Sequence, residues 1–511
     1  MDNRLVIAKN TLFLYFRMLL TMFVSLYASR VVLQVLGIND FGIFQTVVGV
    51  VGLISFANNA LSAGSSRYLT FALGKGNLDE LKKTFSSIFL IHLALALLVA
   101  IAAETFGLWF VCHNAEILPE RIDAAVFAYH FIVVSVFLSI TQIPYTACII
   151  SHEKMAVFAY ISVIEAFLKL FVVYLLQIGD FDKLKMYAVL LCIVQLGITF
   201  SYRLYCLKKL PESRSRFIVD EIIIKNVLKY TGWNLLTNTA SAVVLHGSTV
   251  MTNVFFNPSI VAARAIANQV NDSANQVVHN FRNASNPQIV KKFAAEDFEG
   301  SKQLLLSSTK ISFYLMLFLC VPVFLETEMI LKIWLGFVPD YSAAFLRIAI
   351  VTSLIQVFSH SFYAALYAKG TIRENAIFTS IVNFVMFSVV YLLFKLGFSP
   401  LALAWSIFIA EFFLAVCVKS VLVVKIVGYR WNDIFAVYIP CIKVFLVAIP
   451  IPLLVLLLLN SINMNEILRF IVMIFLSLAS VFFSIWSIGL NTKQRFFLRQ
   501  IAGKFVKRGR I

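Results

Sequence analysis

Long apolar segments recur along the whole chain and are separated by short polar connections. A helix of about 20 apolar residues crosses the hydrocarbon core of a bilayer, and the sequence contains about fourteen such segments. They lie at residues 9–36, 41–63, 84–111, 123–150, 155–178, 184–207, 230–256, 259–282, 303–326, 341–368, 374–396, 400–424, 434–459 and 464–490. The pattern predicts an all-α polytopic membrane protein with both termini on one side.

The eighth segment, residues 259–282, is more polar than the others. On a helix with 100° between successive residues, its polar side chains fall on one arc and its apolar side chains on the opposite side. This polar arc consists of Arg264, Asn268, Asn271, Asp272, Asn275, His279 and Arg282. A surface helix of a soluble protein has the same pattern, so the interpretation depends on whether the helix crosses the membrane.

The distribution of lysine and arginine indicates that the eighth segment does cross. If it does, the basic connections after it and the tail from Lys493 onward lie on the same side as the N-terminus, and only Lys332, Lys395 and Arg469 lie on the far side. If it does not, this excess is reversed, against the rule that positive connections stay inside. A crossing helix with so many polar groups cannot face lipid, so we expect it to line a polar transmembrane cavity.

Composition supports the membrane class and argues against several others. Hydrophobic residues make up 60% of the 511 residues, and the mean hydropathy is +0.88. The net charge of +17 would suggest nucleic acid in a soluble protein, but here it follows from basic connections that also attract anionic lipid headgroups. The seven cysteines form no C-x-x-C pair and read as buried thiols rather than metal ligands. No P-loop, H-E-x-x-H or dinucleotide motif occurs, so no cofactor is expected.

Three side chains outside the eighth segment are further candidates for lining the cavity. Arg17, in the first span, either binds an anionic substrate group, as guanidinium does well, or extends to the interface. Asn234 and Asn238 belong to a polar seventh span, which is expected to face the eighth across the same cavity.

Carboxylates within the spans are candidates for coupling to an ion gradient. Glu165 and Lys169 lie four residues apart in the fifth span, where they form either a structural ion pair or a proton or sodium site. Asp272 on the polar arc and Glu411 in the twelfth span are the other candidates.

A weak internal repeat with a period of about 222 residues suggests two six-span units of parallel orientation. In this alignment Phe71–Ala72 corresponds to Phe293–Ala294. The predicted organisation is an N-lobe at residues 1–225, a C-lobe at 226–430, and two apolar spans with a basic cytoplasmic tail at 431–511.

The chain resembles the bacterial polysaccharide-transporter (O-antigen flippase) family of the multidrug/oligosaccharidyl-lipid/polysaccharide exporter (MOP) superfamily. The resemblance runs over nearly the full length, and its strongest signatures are SRVVLQVLGINDFGIFQTVVGVVGLISF at residues 29–56 and the polar eighth span. It implies a MATE-like fold with two six-helix lobes around a central cavity, plus two C-terminal helices. It also implies a multi-pass protein of the bacterial inner membrane with both termini cytoplasmic.

The resemblance implies a function as well. Members of the family flip oligosaccharide repeat units linked to undecaprenyl pyrophosphate, by alternating access, in lipopolysaccharide and other polysaccharide biosynthesis. The implied partners are this lipid-linked sugar, H⁺ or Na⁺ as coupling ion, membrane lipids and other polysaccharide-assembly proteins. The lipid-II flippase relative has arginines on its first and eighth spans, which Arg17 and Arg264 match by span.

Three alternatives remain open. A multidrug exporter of the same superfamily would favour an aromatic and acidic cavity, which the arginine-bearing spans argue against. A lipid-II flippase would use a similar cationic cavity. A membrane glycosyl-transfer enzyme, a polymerase or ligase, generally has a sizeable far-side loop, but the longest one here is only Glu326–Tyr341. We therefore expect a transporter rather than an enzyme.

Overall fold

The fold is made of helices joined by short turns. The computed structural model describes residues 3–55, 57–152, 154–214, 220–371, 373–460, 464–490 and 495, and no strand occurs within these ranges. The helices are α1 Asn3–Ile54, α2 Ala57–Gly74, α3 Leu78–Ala102, α4 Leu108–His113, α5 Ile122–Ser151, α6 Met155–Leu175, α7 Lys183–Lys209, α8 Glu221–Ala242, α9 Ser248–Phe255, α10 Pro258–Ala294, α11 Phe298–Leu325, α12 Thr327–Leu335, α13 Ser342–Lys369, α14 Arg373–Lys395, α15 Leu401–Phe413, α16 Ser420–Leu422, α17 Trp431–Ala448, α18 Pro450–Asn460 and α19 Glu466–Ser484.

Short segments of other helical types join or extend some of these helices. The π-helical segments are Ala103–Gly107, Val243–Gly247, Leu414–Lys419, Val423–Val427 and Ile485–Gly489, and the 3₁₀ turns are Pro119–Arg121 and Pro211–Arg214. The predicted all-α polytopic fold is confirmed.

Eleven helical segments of the described residues are long and apolar enough to cross a membrane. This is fewer than predicted, in part because the first two predicted spans lie in one continuous segment, residues 18–54. The helix is nevertheless broken at Gly37, whose φ of 76° and ψ of 168° are not helical, and this break falls between the predicted spans 9–36 and 41–63. The predicted eighth span corresponds to α10. This helix is not among the eleven segments because its polar arc makes it too polar. The predicted seventh span, α8 with α9, also lies outside it. The protein is therefore a multi-pass membrane protein in which α10 is an unusually polar helix.

Contacts divide the chain into two compact units, which are described separately. Unit 1 consists of residues 1–265 and 379–402, and unit 2 of residues 266–378 and 403–511. In unit 1, α5 packs along α7 and α3, and α1 packs against α6. In unit 2, α11 packs against α13, α17 and α19. The predicted lobe boundaries after residues 225 and 430 stay a prediction.

Two glycines in the second half of α1 allow other parts of unit 1 to come very close. A Cβ atom at Gly42 would lie 1.9 Å from the carbonyl oxygen of Pro258, and one at Gly52 would lie 2.5 Å from Nδ1 of His246. Only glycine permits such approach of backbone to a neighbouring group. The start of α10 at Pro258 is thus fixed directly against α1.

Arg121 joins three segments of unit 1 at the beginning of α5. Its Nε donates to Oδ1 of Asp40 at 2.9 Å, and its Nη1 donates to Oδ2 of Asp182 at 2.6 Å. Burial raises the pKa of Asp182, but hydrogen bonds from Arg121 and from the backbone N–H of Lys185 outweigh it. The pKa of Asp182 therefore lies below its ordinary value.

One local structure occurs in each unit, while the predicted repeat of six spans stays a prediction. Helices α2 and α10 are both followed by a turn with positive φ, at Gly76 (70°) and Glu296 (62°). A capping side chain comes next, Asn77 before α3 and Asp297 before α11, and accepts hydrogen bonds from the first turn of the helix. Positions 76 and 296 correspond, so the period at this turn is about 220 residues, two fewer than the alignment indicated.

The last helices of unit 2 present large apolar side chains to the outside. Exposed examples are Leu446 on α17, Leu457 on α18, and Phe475 and Phe482 on α19. In water such a surface would aggregate, whereas lipid solvates it. The helix breaks between Ala448 and Pro450, because proline lacks the backbone N–H that would continue it. Of the basic tail that follows, the structure describes Arg495 and leaves the rest outside its ranges.

Replacing Arg121 with Gln is expected to lower the free energy of unfolding by about 2 kcal/mol. The reason is that the carboxylates of Asp40 and Asp182 lose their shared partner and repel each other. Thermal unfolding of the detergent-solubilised protein measures the effect. The matched control is Lys183→Gln, which removes one positive charge from a half-buried side chain whose Nζ donates to the carbonyl of Gly179. Equal shifts for both variants would contradict the role given to Arg121.

The Asp182 carboxylate predicts a loss of stability in acid. Because the folded pKa lies below the ordinary value of 3.8, its contribution is present above that pH and is lost as the pH falls through the folded pKa. The melting temperature of the wild type should therefore fall more steeply below about pH 4 than that of Asp182→Asn. Parallel curves for the two proteins would show that this carboxylate contributes nothing.

Candidate functional site

Arg264 lies on the first turns of α10, within unit 1. Its side chain is buried, with 7% of its surface exposed, and its Nη1 donates to Oγ1 of Thr249 at 2.9 Å. It also interacts electrostatically with His246 in the π-helical segment before α9. The helix that carries it begins at Pro258, directly after Asn257, whose side chain caps the first turn. Arg264 is therefore held by a rigid helix start rather than by a loop.

Two asparagines of the polar arc are tied to α13 within unit 2. The Oγ of Ser353, which is 1% exposed, donates to Oδ1 of Asn271 at 2.8 Å. Nδ2 of Asn275 donates to Oγ of Ser353 at 2.8 Å and to the backbone oxygen of Asn271 at 3.1 Å. These bonds fix the orientation of both side-chain amides. The amide donors and acceptors that these bonds do not use are then positioned to bind a ligand.

The rest of the arc follows the predicted faces of α10. Asp272 and His279 are exposed, and Asn268 is half-buried. On the opposite side, Ile266, Ala267 and Val278 are buried. The burial pattern agrees with the amphipathic helix that the sequence indicates.

Four basic side chains come together in unit 2, and we call them the basic cluster: His279, Arg282, His360 and Lys419. His360, on α13, lies close enough to interact electrostatically with each of the other three. Arg282 and Lys419 are buried, with 8% and 7% of their surface exposed. The Nζ of Lys419 also lies 5.5 Å from the ring centre of Tyr363. Gathering positive charge in this way within predicted spans is costly unless an anion or water meets it.

A carboxylate borders the basic cluster. Glu411, on α15, hydrogen-bonds to the side chain of Gln356 and interacts electrostatically with Lys419. The side chain of His360 is exposed. The cluster is therefore accessible from at least one side.

The predicted ion pair in the fifth span is confirmed. Nζ of Lys169 donates to Oε1 of Glu165 at 2.6 Å on α6. Its role in ion coupling stays a prediction. Arg17, Asn234 and Asn238 lie in helices α1 and α8, but their side chains are outside the described residues.

Sequence reasoning missed part of the basic cluster. It did not name His360 or Lys419 as site residues, although Lys419 lies in the predicted span 400–424 and in the helical run 401–427. A lysine eight residues after Glu411 in one apolar segment was the available signal, because intramembrane charges tend to be functional. The meeting of His360 with α10 had no local signal.

Comparison with known proteins shows the fold but no closer relationship. No family model matches the sequence, and no curated protein does either. Among solved structures, the chain matches the inward-closed lipid II flippase MurJ with a TM-score of 0.69 and 13% identity, covering 93% of this chain and 98% of that one. It matches an inward-facing multidrug resistance MATE transporter of the MOP superfamily with a TM-score of 0.65 and 15% identity, covering 81% and 94%.

A third match is a MOP superfamily transporter from Pyrococcus furiosus, with a TM-score of 0.57 and 14% identity over 84% of this chain and 95% of that one. The reverse polarity of the binding pocket of that transporter suggests a different function for it. At such low identity these matches establish the fold alone, and the fold agrees with the predicted MATE-like architecture.

Replacing Ser353 with Ala is expected to destabilise the protein by about 1–2 kcal/mol, because Asn271 and Asn275 lose their common partner in a buried place. Thermal unfolding in detergent measures this. A suitable control is Thr352→Val, since the buried Thr352 hydroxyl bonds within its own helix to the oxygen of Ile348. A larger effect at Thr352 than at Ser353 would contradict the bridging role.

Proposed function

We propose that the protein is a transporter of the MOP superfamily that flips an anionic, lipid-linked oligosaccharide across the bacterial inner membrane. The substrate we infer is a repeat unit carried on undecaprenyl pyrophosphate. The proposal describes transport without a catalysed reaction, and both termini are proposed to be cytoplasmic. The observation that carries it is the basic cluster on α10, α13 and the helical run 401–427.

The chemistry of the cluster suits a pyrophosphate. Arg282 offers the planar fork of donors that pairs with phosphate oxygens, and Lys419 adds a compact positive charge. Both are buried, so water screens their attraction for an anion weakly. Histidines 279 and 360 supply further ring nitrogens for the same oxygens.

The polar arc suits the sugar part of the same substrate. The amides of Asn271 and Asn275, already oriented by Ser353, and the half-buried Asn268 are able to donate to and accept from hydroxyl groups. Arg264 extends the positive charge along α10. The polyprenyl chain needs no polar surface and is proposed to stay in lipid, beside the apolar helices α17 to α19.

Movement between states requires a bias that the substrate alone does not supply. We propose that H⁺ or Na⁺ supplies it, with Glu411, Asp272 and Glu165 as the candidate carboxylates. Glu411 is the strongest of them, because it interacts with Lys419 and so connects ion occupancy with the charge of the basic cluster. This arrangement corresponds to an antiporter or a symporter acting by alternating access.

Two other functions of the same superfamily remain candidates. Export of organic cations is favoured by the match to a multidrug MATE transporter, but the basic cluster would repel such substrates. Flipping of lipid II is favoured by the MurJ match and shares the anionic, lipid-linked substrate class. The positive charge of the basic cluster thus distinguishes the proposal from export of organic cations. The identity of the sugar in the substrate distinguishes it from flipping of lipid II.

The proposal is tested in proteoliposomes with a fluorescent undecaprenyl-pyrophosphate oligosaccharide and a membrane-impermeant quencher. Replacing Arg282 or Lys419 with Gln should slow flipping by about tenfold or more, since one charged hydrogen bond is worth about 1.5–3 kcal/mol. The matched control is Lys425→Gln, an exposed lysine at the end of the same helical run as Lys419, which should flip at the wild-type rate.

The results distinguish the candidates. Unchanged flipping in Arg282→Gln and Lys419→Gln would refute the role of the basic cluster. Efflux of an organic cation without flipping would favour the multidrug function. Equal rates for lipid II and for oligosaccharides of other composition would favour a flippase that recognises the pyrophosphate rather than the sugar.

A further inference from the structure

Three side chains of metal-ligand type converge where α5 ends in unit 1. Cys148 and His152 lie four residues apart, on the last turn of α5 and directly after it. Glu212 belongs to the 3₁₀ turn Pro211–Arg214 that follows α7. Their ligand atoms all lie within 4.8 Å of one another. None of the three takes part in the transport site described above.

The geometry of the three groups is already close to that of a metal site. Sγ of Cys148 lies 3.0 Å from Oε1 of Glu212, and Nε2 of His152 lies 2.6 Å from the same oxygen. Around a zinc ion with bonds of about 2.0–2.3 Å, tetrahedral ligand atoms lie about 3.3–3.8 Å apart. Small rotations of the side chains would therefore admit an ion without moving the backbone.

The surroundings hold the three ligands in place. Cys148 and Glu212 are each 1% exposed. Cys148 lies on α5, which packs along α7 in one of the main contacts of unit 1, and it belongs to the apolar core together with Cys206 and Leu210. A carboxylate buried in such a core is costly unless its charge is compensated. A divalent cation would compensate it.

We propose that Cys148, His152 and Glu212 bind a divalent cation of the zinc class. A thiolate, an imidazole and a carboxylate form a donor set that suits zinc, whereas calcium and magnesium prefer oxygen ligands alone. On binding, the thiol releases its proton to solvent, and the charges of the thiolate and the carboxylate balance that of the ion. His152, with 21% of its side chain exposed, leaves an opening for the ion and for a water molecule as fourth ligand.

A bound ion would tie the end of α5 to the turn after α7, on the side that the charge pattern predicts to be cytoplasmic. The cluster escaped the sequence analysis because Glu212 lies 60 residues beyond His152, outside any familiar ligand spacing. The same groups without an ion form a hydrogen-bonded network, so the experiment has to separate the two states.

The test uses the purified full chain in detergent and Co²⁺ as a spectroscopic probe, followed by displacement with Zn²⁺. We expect the wild type to bind a single Co²⁺ with a thiolate-to-cobalt charge-transfer band, which Zn²⁺ removes. Cys148→Ser should abolish the band. Glu212→Gln should weaken metal binding by about 100-fold or more, which exceeds the loss expected when a residue only hydrogen-bonds to a metal ligand. Cys192→Ser, at another buried thiol of unit 1, is the matched control and should bind as the wild type does.

Each outcome decides the proposal. A wild type without a charge-transfer band, or a band that persists in Cys148→Ser, would overturn it. A variant that fails to fold also loses metal binding. Cys148→Ser and Glu212→Gln are therefore first compared with the wild type by gel filtration and thermal unfolding. His152→Ala provides a further variant at a half-buried position: binding retained at wild-type affinity there would also overturn the proposal.

Discussion

The burial of charge within apolar helices is the constraint on which the rest of this structure depends. Each charged side chain in a predicted span needs a partner, because neither lipid nor a packed core solvates it. Lys169 pairs with Glu165 one turn away, and Arg264 bonds to Thr249. In the basic cluster two buried cations, Arg282 and Lys419, accompany the carboxylate of Glu411. The proposed anionic substrate would balance the remaining positive charge.

Local pattern predicted much of this architecture from the sequence. Hydrophobic length indicated the spans, the period of α10 indicated its faces, and the spacing of Glu165 and Lys169 indicated their contact. What the sequence missed depends on contacts between distant residues. Helical periodicity tells which face a side chain occupies but not which helix packs against it, so the approach of His360 to Arg282 had no signal. By contrast, the break at Gly37 falls in the gap between the predicted spans 9–36 and 41–63, because an interruption of the apolar pattern is a local signal.

The fold by itself leaves the substrate open. Solved structures that share it include a multidrug resistance transporter and a lipid II flippase, so the architecture serves more than one kind of substrate. Discrimination has to come from the side chains that line the polar surfaces. Here they are arginine, lysine, histidine and amides, together with the carboxylates Asp272 and Glu411. Under the proposed function, the guanidinium, ammonium and amide groups bind phosphate and hydroxyl groups.

The close approach at Gly42 has a mechanical consequence. The carbonyl of Pro258 occupies the space that a side chain at position 42 would fill. Helices α1 and α10 therefore make direct backbone contact there. No rotamer change is available there to absorb a displacement, since there are no side-chain torsions at the contact. The second half of α1 and the first turn of α10 therefore act as one stiff element, and any motion that carries Arg264 has to carry that part of α1 along with it.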